Sequence, residues 1–453
     1  MNHMLEQDEA AVEVPLDATL QEGELRAALE DISARYDALP GGANFDLTTL
    51  TFLGGTGGAR LDVDASLALI REALFNPSPE ARVIELPTIA IEAEAAGIDD
   101  LRRAILEYMA VQGFLHDGAT TIGSMYVLDL KTGEEMSILG DVAHSAVSTI
   151  KVGVLINYFR YQTATPDPDS QFLLAAAVIC SSNPAANFLM QVTGQAGGGQ
   201  AMVNGLRNAT QTMIDLGASN SVILSPLWVG PDGSYPIAGR PESPTQPNTS
   251  YNTQYDPLNM TTAEDMGTML GMIYQCAYTG GGLRAVFPDQ ITQNECQQMV
   301  ETLTGTRFFR FAELGAPPGT LVAHKVGYGN ETVGDAAIVF SPSTDYVFVV
   351  YIWEDDLDND NITELDKWNL IDELARIAYN YFNPTAPMTT ARPPVNPLGG
   401  AGCVLPNVST EINLNDIDQN RFDDLGNPVP TACYDWPLCR PFDNWGQTTG
   451  TLP

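Results

Sequence analysis

The stretch DVAHSAVSTIKVGVLINYFRYQ, residues Asp141–Gln162, sets the frame for the rest of the chain. Val152, Val154, Leu155, Tyr158 and Phe159 recur at helical spacing, which predicts a buried helix. At its head stand Ser148 and Lys151, three positions apart. On a helix that spacing places both side chains on one face, with the lysine amine in hydrogen-bond reach of the serine hydroxyl. A serine hydroxyl is a poor nucleophile until a base takes its proton. A lysine can act as that base only when burial or a neighbouring cation brings its pKa down from about 10.4. A buried helix start supplies the burial, and its free amides favour developing negative charge. Taken alone, Ser-x-x-Lys also fits a helix-start serine beside a solvated lysine, and many chains carry it by chance. The residues downstream decide.

Working outward, Ile98–Phe114 reads as an amphipathic helix and ATTIGSMYVLDLKTGEEMSILGD as two strands joined at Lys131-Thr132-Gly133. Ser170–Cys180 is an apolar helix ending at Ser181-Ser182-Asn183, and Pro184 opens the next. Ser225–Asn259 is a long loop rich in Pro, Gly, Asn, Ser and Thr. MTTAEDMGTMLGMIYQC is a helix capped at Thr261 or Thr262. LVAHKVGYGN, GDAAIVFSPS and YVFVVYIWED are three strands, and Thr363–Phe382 is a terminal helix. Upstream, residues 15–97 form a separate small α+β unit. It has a helix with Leu25, Leu29, Ile32 and Tyr36, strands in ANFDLTTLTFLGG and ARVIELPTIAIE, and a helix entered at Asp62 and Asp64. Residues 1–14 read as an appended acidic linker, with any export signal removed, and 385–453 as a Pro-rich linker and cysteine-bearing tail.

The 453 residues carry 21 Lys+Arg against 57 Asp+Glu, a net charge of −36. That sign argues against nucleic acid and anionic membranes as partners. No apolar run reaches the length of a membrane span. The six cysteines include no Cys-x-x-Cys pair, so no structural zinc site and no other cofactor is expected. Cys276 and Cys296 flank a glycine-rich turn and are able to pair; Cys180 reads as a buried helix residue. Cys403, Cys433 and Cys439 lie in a tail with little hydrophobic pattern, which needs staples. An oxidising, extracellular or cell-surface setting follows.

Three elements occur in order: Ser148-x-x-Lys151, Ser181-x-Asn183 and Lys325-Val326-Gly327. This set resembles the signature of penicillin-recognising serine enzymes, class A β-lactamases most closely. SSNPAANFL, MTTAEDM and HKVGYGNETVGDAAIVFSP extend the resemblance over about residues 98–384. It implies an α+β, β-lactamase/transpeptidase-like fold: an antiparallel sheet beside an all-helical region, with Ser148 at their interface. It also implies roles. Ser148 attacks a carbonyl and forms an acyl-enzyme, and Lys151 is the general base. Ser181 relays a proton between lysines toward the leaving nitrogen, with Lys325 as the second lysine. Asn183 holds the substrate amide or orients Lys151, while Lys325, Val326 and Gly327 line the place of a substrate carboxylate. The backbone N–H groups of Ser148 and Tyr328 would form the oxyanion hole. The small unit resembles peptidoglycan-binding-type domains through its PLD start and the Gly58–Ser66 segment, which implies a cell-wall partner.

Three departures matter. Ser182 stands where the family often has Asp, and Val326 replaces a threonine whose hydroxyl helps hold the carboxylate. The family's E-x-x-L-N loop, whose Glu activates the deacylating water, is missing; Asp256-Pro257-Leu258-Asn259 only echoes it, and Glu242 and Asp256 are the carboxylates at hand. The expected substrates are therefore β-lactams or D-Ala-D-Ala-type peptides, with slow β-lactam hydrolysis. D,D-peptidase-like and β-lactamase-like activities, another esterase or amidase activity, and a non-catalytic protein binding β-lactams or wall fragments are the alternatives. His144 and His324 read as packed or capping residues more readily than as tuners of the site. Asp416-Ile417-Asp418-Gln419-Asn420 with Asp424, and Asp356, Asp358 and Asp360, read as solvated acidic loops rather than metal sites. The glycine runs at 197–199 and 280–282 lack the Lys-Ser/Thr of a phosphate loop.

Overall fold

The computed structural model describes residues 19–394, apart from 39–40, 77, 79, 81–82, 94, 163–169, 171–172, 196–199, 228–234, 306–307, 309, 330 and 356–363. The tail cysteines, both acidic loops and the glycine run at 197–199 fall outside the described residues. The chain divides into two units: one reaches to Asn44 and resumes over Leu53–Ala96, and the other takes Phe45–Phe52 and everything from Gly97 onward.

The smaller unit contains α1 (Glu22–Tyr36), the outer residues of the hairpin β1 (Asn44–Asp46) and β2 (Thr51–Leu53), β3 (Gly58–Leu61), α2 (Val63–Leu74) and β4 (Thr88–Ile91). β3 and β4 pair antiparallel. α2 starts where the sequence marks it, Asp62 accepting from the Ala65 N–H at 3.0 Å. The alternation around residue 50 yields a hairpin instead of one strand. Asp46 Oδ1 accepts from the Thr48 and Thr49 amides, and Leu50 takes φ of 55°, so the chain turns back on itself. The tip of that hairpin interrupts the 15–97 unit drawn from sequence, because Phe45–Phe52 belongs with the larger unit. Leu50 is fully buried, and its carbonyl accepts from Asn380 Nδ2 at 2.7 Å.

The larger unit begins with α3 (Ile98–Val111), β5 (Thr121–Asp129), β6 (Glu135–Ile138) and β7 (His144–Ser145). A 3₁₀ turn (Val147–Ile150), α4 (Lys151–Tyr161), a π-turn (Ala175–Ile179), α5 (Asn183–Gly194) and α6 (Ala201–Asp215) follow. Then come β8 (Val222–Ile223), β9 (Asn259–Thr261), α7 (Ala263–Thr279), α8 (Leu283–Val286) and α9 (Gln293–Thr304). β10 (Leu321–Tyr328), β11 (Thr332–Phe340), β12 (Tyr346–Glu354) and α10 (Glu364–Phe382) complete it. Five strands form an antiparallel sheet in the order β10-β11-β12-β5-β6. β11 and β12 run nearly continuously apolar because both faces are covered.

Side chains alternate across that sheet. Ala323, Ala336, Ile338, Val347, Val349 and Tyr351 share a core with α4 through α7. On the other face Tyr346 stacks on Phe382 of α10 at 4.3 Å. The same alternation places Lys325 and Gly327 toward the helices, and His324, Val326 and Tyr328 toward α10. Within the helical region α5 and α6 meet at Gly205, where a Cβ would overlap the Met190 carbonyl. The expected antiparallel sheet beside a helical region is present.

Cys276 of α7 and Cys296 of α9 are bonded to each other across a separation of 20 residues. Closing a loop of that size restricts the unfolded chain, which stabilises the fold by about 3 kcal/mol. Replacing both by serine is expected to lower the unfolding free energy by that amount, measured by denaturant titration under non-reducing conditions. An unchanged midpoint would mean that packing alone holds α7 to α9.

Candidate active site

The helix expected from Ser148 begins more tightly than the sequence suggests. Ser148 lies in the 3₁₀ turn and Lys151 is the first residue of α4. Val147 has φ of 45°, a left-handed conformation that a β-branched residue rarely takes. Neighbouring strands hold this turn in place. The Ala146 N–H donates to the Asn259 carbonyl at 2.9 Å, and Asn259 Nδ2 donates to the Val147 carbonyl at 3.3 Å.

The second group of residues arrives by another irregularity. The segment read as a plain helix up to Cys180 ends in a π-turn, the Cys180 N–H reaching back to the Ala175 carbonyl at 3.3 Å. Ser181 then adopts φ of 58°. Ser182 N-caps α5, its hydroxyl accepting from the Ala185 N–H at 3.3 Å. The serine at the family's Asp position thus starts a helix. Cys180 is disulfide-bonded and only partly buried, where the sequence suggested a buried helix residue.

These turns bring four oxygens around the buried Lys151 amine: Ser148 Oγ at 2.9 Å, Ser181 O at 2.7 Å, Ser181 Oγ at 3.2 Å and Asn183 Oδ1 at 2.7 Å. The carbonyl of Ser181 and the amide oxygen of Asn183 can only accept. They accept two of the amine's N–H bonds. In the neutral form of the amine the lone pair would be left for the Ser148 and Ser181 hydroxyls, both of which can donate. Burial, and secondarily the charge of Lys325, hold the Lys151 pKa well below the usual lysine range. Burial likewise brings Lys325 down to about 7, against a partial pull upward from Asp335. Among the described residues neither amine is ion-paired to a carboxylate.

The third motif lies on β10 as expected. Lys325 is 2% exposed, and Nζ donates to the Val326 carbonyl at 2.7 Å. Among the described residues no hydrogen bond joins Lys325 to Ser181. Val326 is buried on the opposite face of the strand. Gly327 abuts the turn that carries Ser148: a Cβ there would lie 2.7 Å from the Ser148 nitrogen and 2.9 Å from that of Thr149. Only glycine lets the strand approach so closely while leaving the Ser148 amide uncovered. Tyr328 is 54% exposed, its ring 5.7 Å from both Phe308 and Trp368.

The remaining sequence candidates are structural in their contacts. His324 is buried against Asp335, with Nδ1 3.1 Å from each carboxylate oxygen. Burial opposes its charge, but Asp335 outweighs that and raises its pKa. His144 is buried, its Nε2 2.8 Å from Ser124 Oγ, and burial pushes its pKa down to about 3. Asp256 and Glu242 are exposed. Asp256 turns onto its own loop, its Oδ1 accepting from the Leu258 N–H at 2.8 Å.

Sequence reasoning passed over Asn187, which clamps the start of the long loop. Its Oδ1 accepts from the Leu227 N–H at 2.7 Å, and its Nδ2 donates to the Leu227 carbonyl at 2.8 Å. The signal was available, since Asn187 stands one helical turn beyond Asn183 in SSNPAANFL.

Residues 161–382 match the model of the beta-lactamase enzyme family; the match begins after Ser148 and Lys151 and covers Ser181, Asn183 and Lys325. No curated protein matches the chain. Among solved structures, PBP-A is 18% identical, covering 64% of this chain and 98% of its own, with a TM-score of 0.43. A beta-lactamase from Sphaerobacter thermophilus is 16% identical, covering 64% of this chain and 100% of its own, with a TM-score of 0.46. One from Chitinophaga pinensis is 14% identical, covering 62% and 98%, with a TM-score of 0.44.

Two outcomes follow from this geometry. Gly327→Ala is expected to lower the rate of covalent labelling of Ser148 at least 100-fold, as a displacement of about 1 Å does, and to lower the melting temperature as well, because the methyl group meets backbone. Labelling at the parent rate would show that the strand can retreat freely. The second outcome concerns pH. The Lys325 pKa of about 7 lies below the ordinary 10.5. Between those values the unfolded chain holds a proton that the folded chain lacks, so this group's contribution to stability rises with pH across that window. In denaturant titrations at several pH values, Lys325→Met is expected to flatten the rise; an identical slope would mean that Lys325 stays charged when folded.

Proposed function

We propose that this chain, whose residues 161–382 match the model of the beta-lactamase enzyme family, is an active-site-serine acyl-transferase or hydrolase acting on β-lactams or D-Ala-D-Ala-type peptides. The observation that carries the reading is the buried, uncompensated Lys151 amine hydrogen-bonded to Ser148. In this reading Ser148 Oγ attacks the carbonyl carbon while its proton passes to Lys151. The oxyanion is received by the Ser148 and Tyr328 amides. Collapse breaks the C–N bond, and the proton returns from Lys151 through the Ser181 hydroxyl to the leaving nitrogen. Lys325, when protonated, attracts the substrate carboxylate from the floor of the site.

The acyl-enzyme is then cleared slowly by water. Among the described residues no carboxylate is hydrogen-bonded to Ser148 or Lys151. That favours a D,D-peptidase-like enzyme, whose acyl acceptor arrives with the substrate, over an efficient β-lactamase. A chain of this kind works outside the cytoplasm, in keeping with the Cys276–Cys296 bond, and its small N-terminal unit would be a wall-associated module.

Intact-mass spectrometry with benzylpenicillin, run beside Ser148→Ala, tests this. The parent is expected to gain a covalent adduct that persists for hours, and the variant none. Rapid consumption of penicillin without a lasting adduct would make the chain a β-lactamase. Absence of both adduct and consumption would overturn the β-lactam reading.

A further inference from the structure

We propose that Tyr351 is a positioning residue for acylation, its hydroxyl anchoring, through Thr149, the turn that presents Ser148. The inference rests on Ser148 being the nucleophile. Tyr351 lies on β12, in the middle strand of the sheet, and is completely buried. In register beside it stand Gly334 on β11 and Ser124 on β5, two of the smallest residues. A Cβ on Gly334 would come within 2.7 Å of the Tyr351 ring, so the glycine makes room for it. The ring is stacked on that of His144, with centroids 5.4 Å apart and planes at 16°. His144 is held in turn by Ser124 Oγ at 2.8 Å. The phenol is thereby fixed in position and direction.

Its hydroxyl lies 2.5 Å from Thr149 Oγ1, and that hydroxyl lies 2.6 Å from the Ala146 carbonyl. The proton directions follow from chemistry. A carbonyl can only accept, so Thr149 spends its single proton on Ala146 and Tyr351 must donate to Thr149. The tie therefore runs from the rigid sheet to both flanks of Val147 and Ser148. Between those flanks the backbone sits at the unfavourable φ of 45° on Val147. A turn held against its own preference needs an external anchor, and Tyr351 reaches it across 202 residues of sequence. Phenylalanine would preserve the ring, the stack and the core, and would remove only the anchor.

The test compares the full-length parent with Tyr351→Phe, Thr149→Val, Thr149→Ser and the Tyr351→Phe/Thr149→Val double variant. Labelling of Ser148 is followed with a fluorescent penicillin and separately with a fluorophosphonate, which reports an activated serine whatever the natural substrate. Tyr351→Phe is expected to lower the first-order acylation constant about 10–100-fold, with the concentration for half-maximal rate within about twofold of the parent. Thr149→Val should lose a similar factor, Thr149→Ser should regain most of it, and the double variant should be no slower than the worse single variant. If Tyr351→Phe does not fold, the contrast between Thr149→Val and Thr149→Ser decides. Rates within about twofold of the parent for the folded single variants, or losses that multiply in the double variant, would overturn the inference. A parent labelled by neither reagent would instead overturn the assignment of Ser148, and the inference with it.

Discussion

Two lysine amines are buried within influence of each other, and no described carboxylate pairs with either. An uncompensated charge in such a place is costly, so both amines hold their protons less firmly than an ordinary lysine. The rest of the larger unit can be understood as the framework that enforces this state. The helical side supplies Lys151 and, from the following turn, the two acceptor oxygens that orient it. The sheet side supplies Lys325, whose charge adds to the pressure on Lys151. Remove the packing between sheet and helices and both amines would lose the burial that lowers their pKa values.

The sheet separates chemistry from support by the alternation of its side chains. Lys325, Gly327, Gly334 and Tyr351 face the helices, where the turn that carries Ser148 rests. His324 and Asp335 face the opposite side, hydrogen-bonded to each other, with the Ala312 N–H donating to Asp335 Oδ2 at 3.1 Å. Arg310 is wholly buried on the same segment, ion-paired to Asp372 of α10 at 2.6 Å. Buried pairs of this kind contribute little net stability, but losing one partner strands the other. Their effect is to fix how α10 lies on the strand that carries Lys325.

Much of this was legible in the sequence, and for identifiable reasons. The three-residue step from Ser148 to Lys151, the apolar runs of β10 to β12 and the threonine cap of α7 are local patterns whose geometry follows from neighbouring residues alone. What escaped reading depends on distant partners or on unfavourable backbone. Nothing in the residues around Val147 announces a left-handed φ; the hydrogen bond from Asn259 to the Val147 carbonyl comes from 112 residues away. Tyr351 looks like one more aromatic in an apolar strand until the fold brings Thr149 to it. The hairpin tip at Leu50 was hidden because its anchor, Asn380, lies at the other end of the described chain.

The π-turn at Ala175–Ile179 gives the chain length around the site a meaning of its own. Each residue of a helix advances the chain by about 100° around the axis, so an added residue redirects everything beyond it. Here that redirection aims the Ser181 carbonyl and hydroxyl at Lys151. Residue count between Leu173 and Ser181 is therefore a steering angle, and the spacing of this segment constrains the site as firmly as the identities of the residues that bear its oxygens.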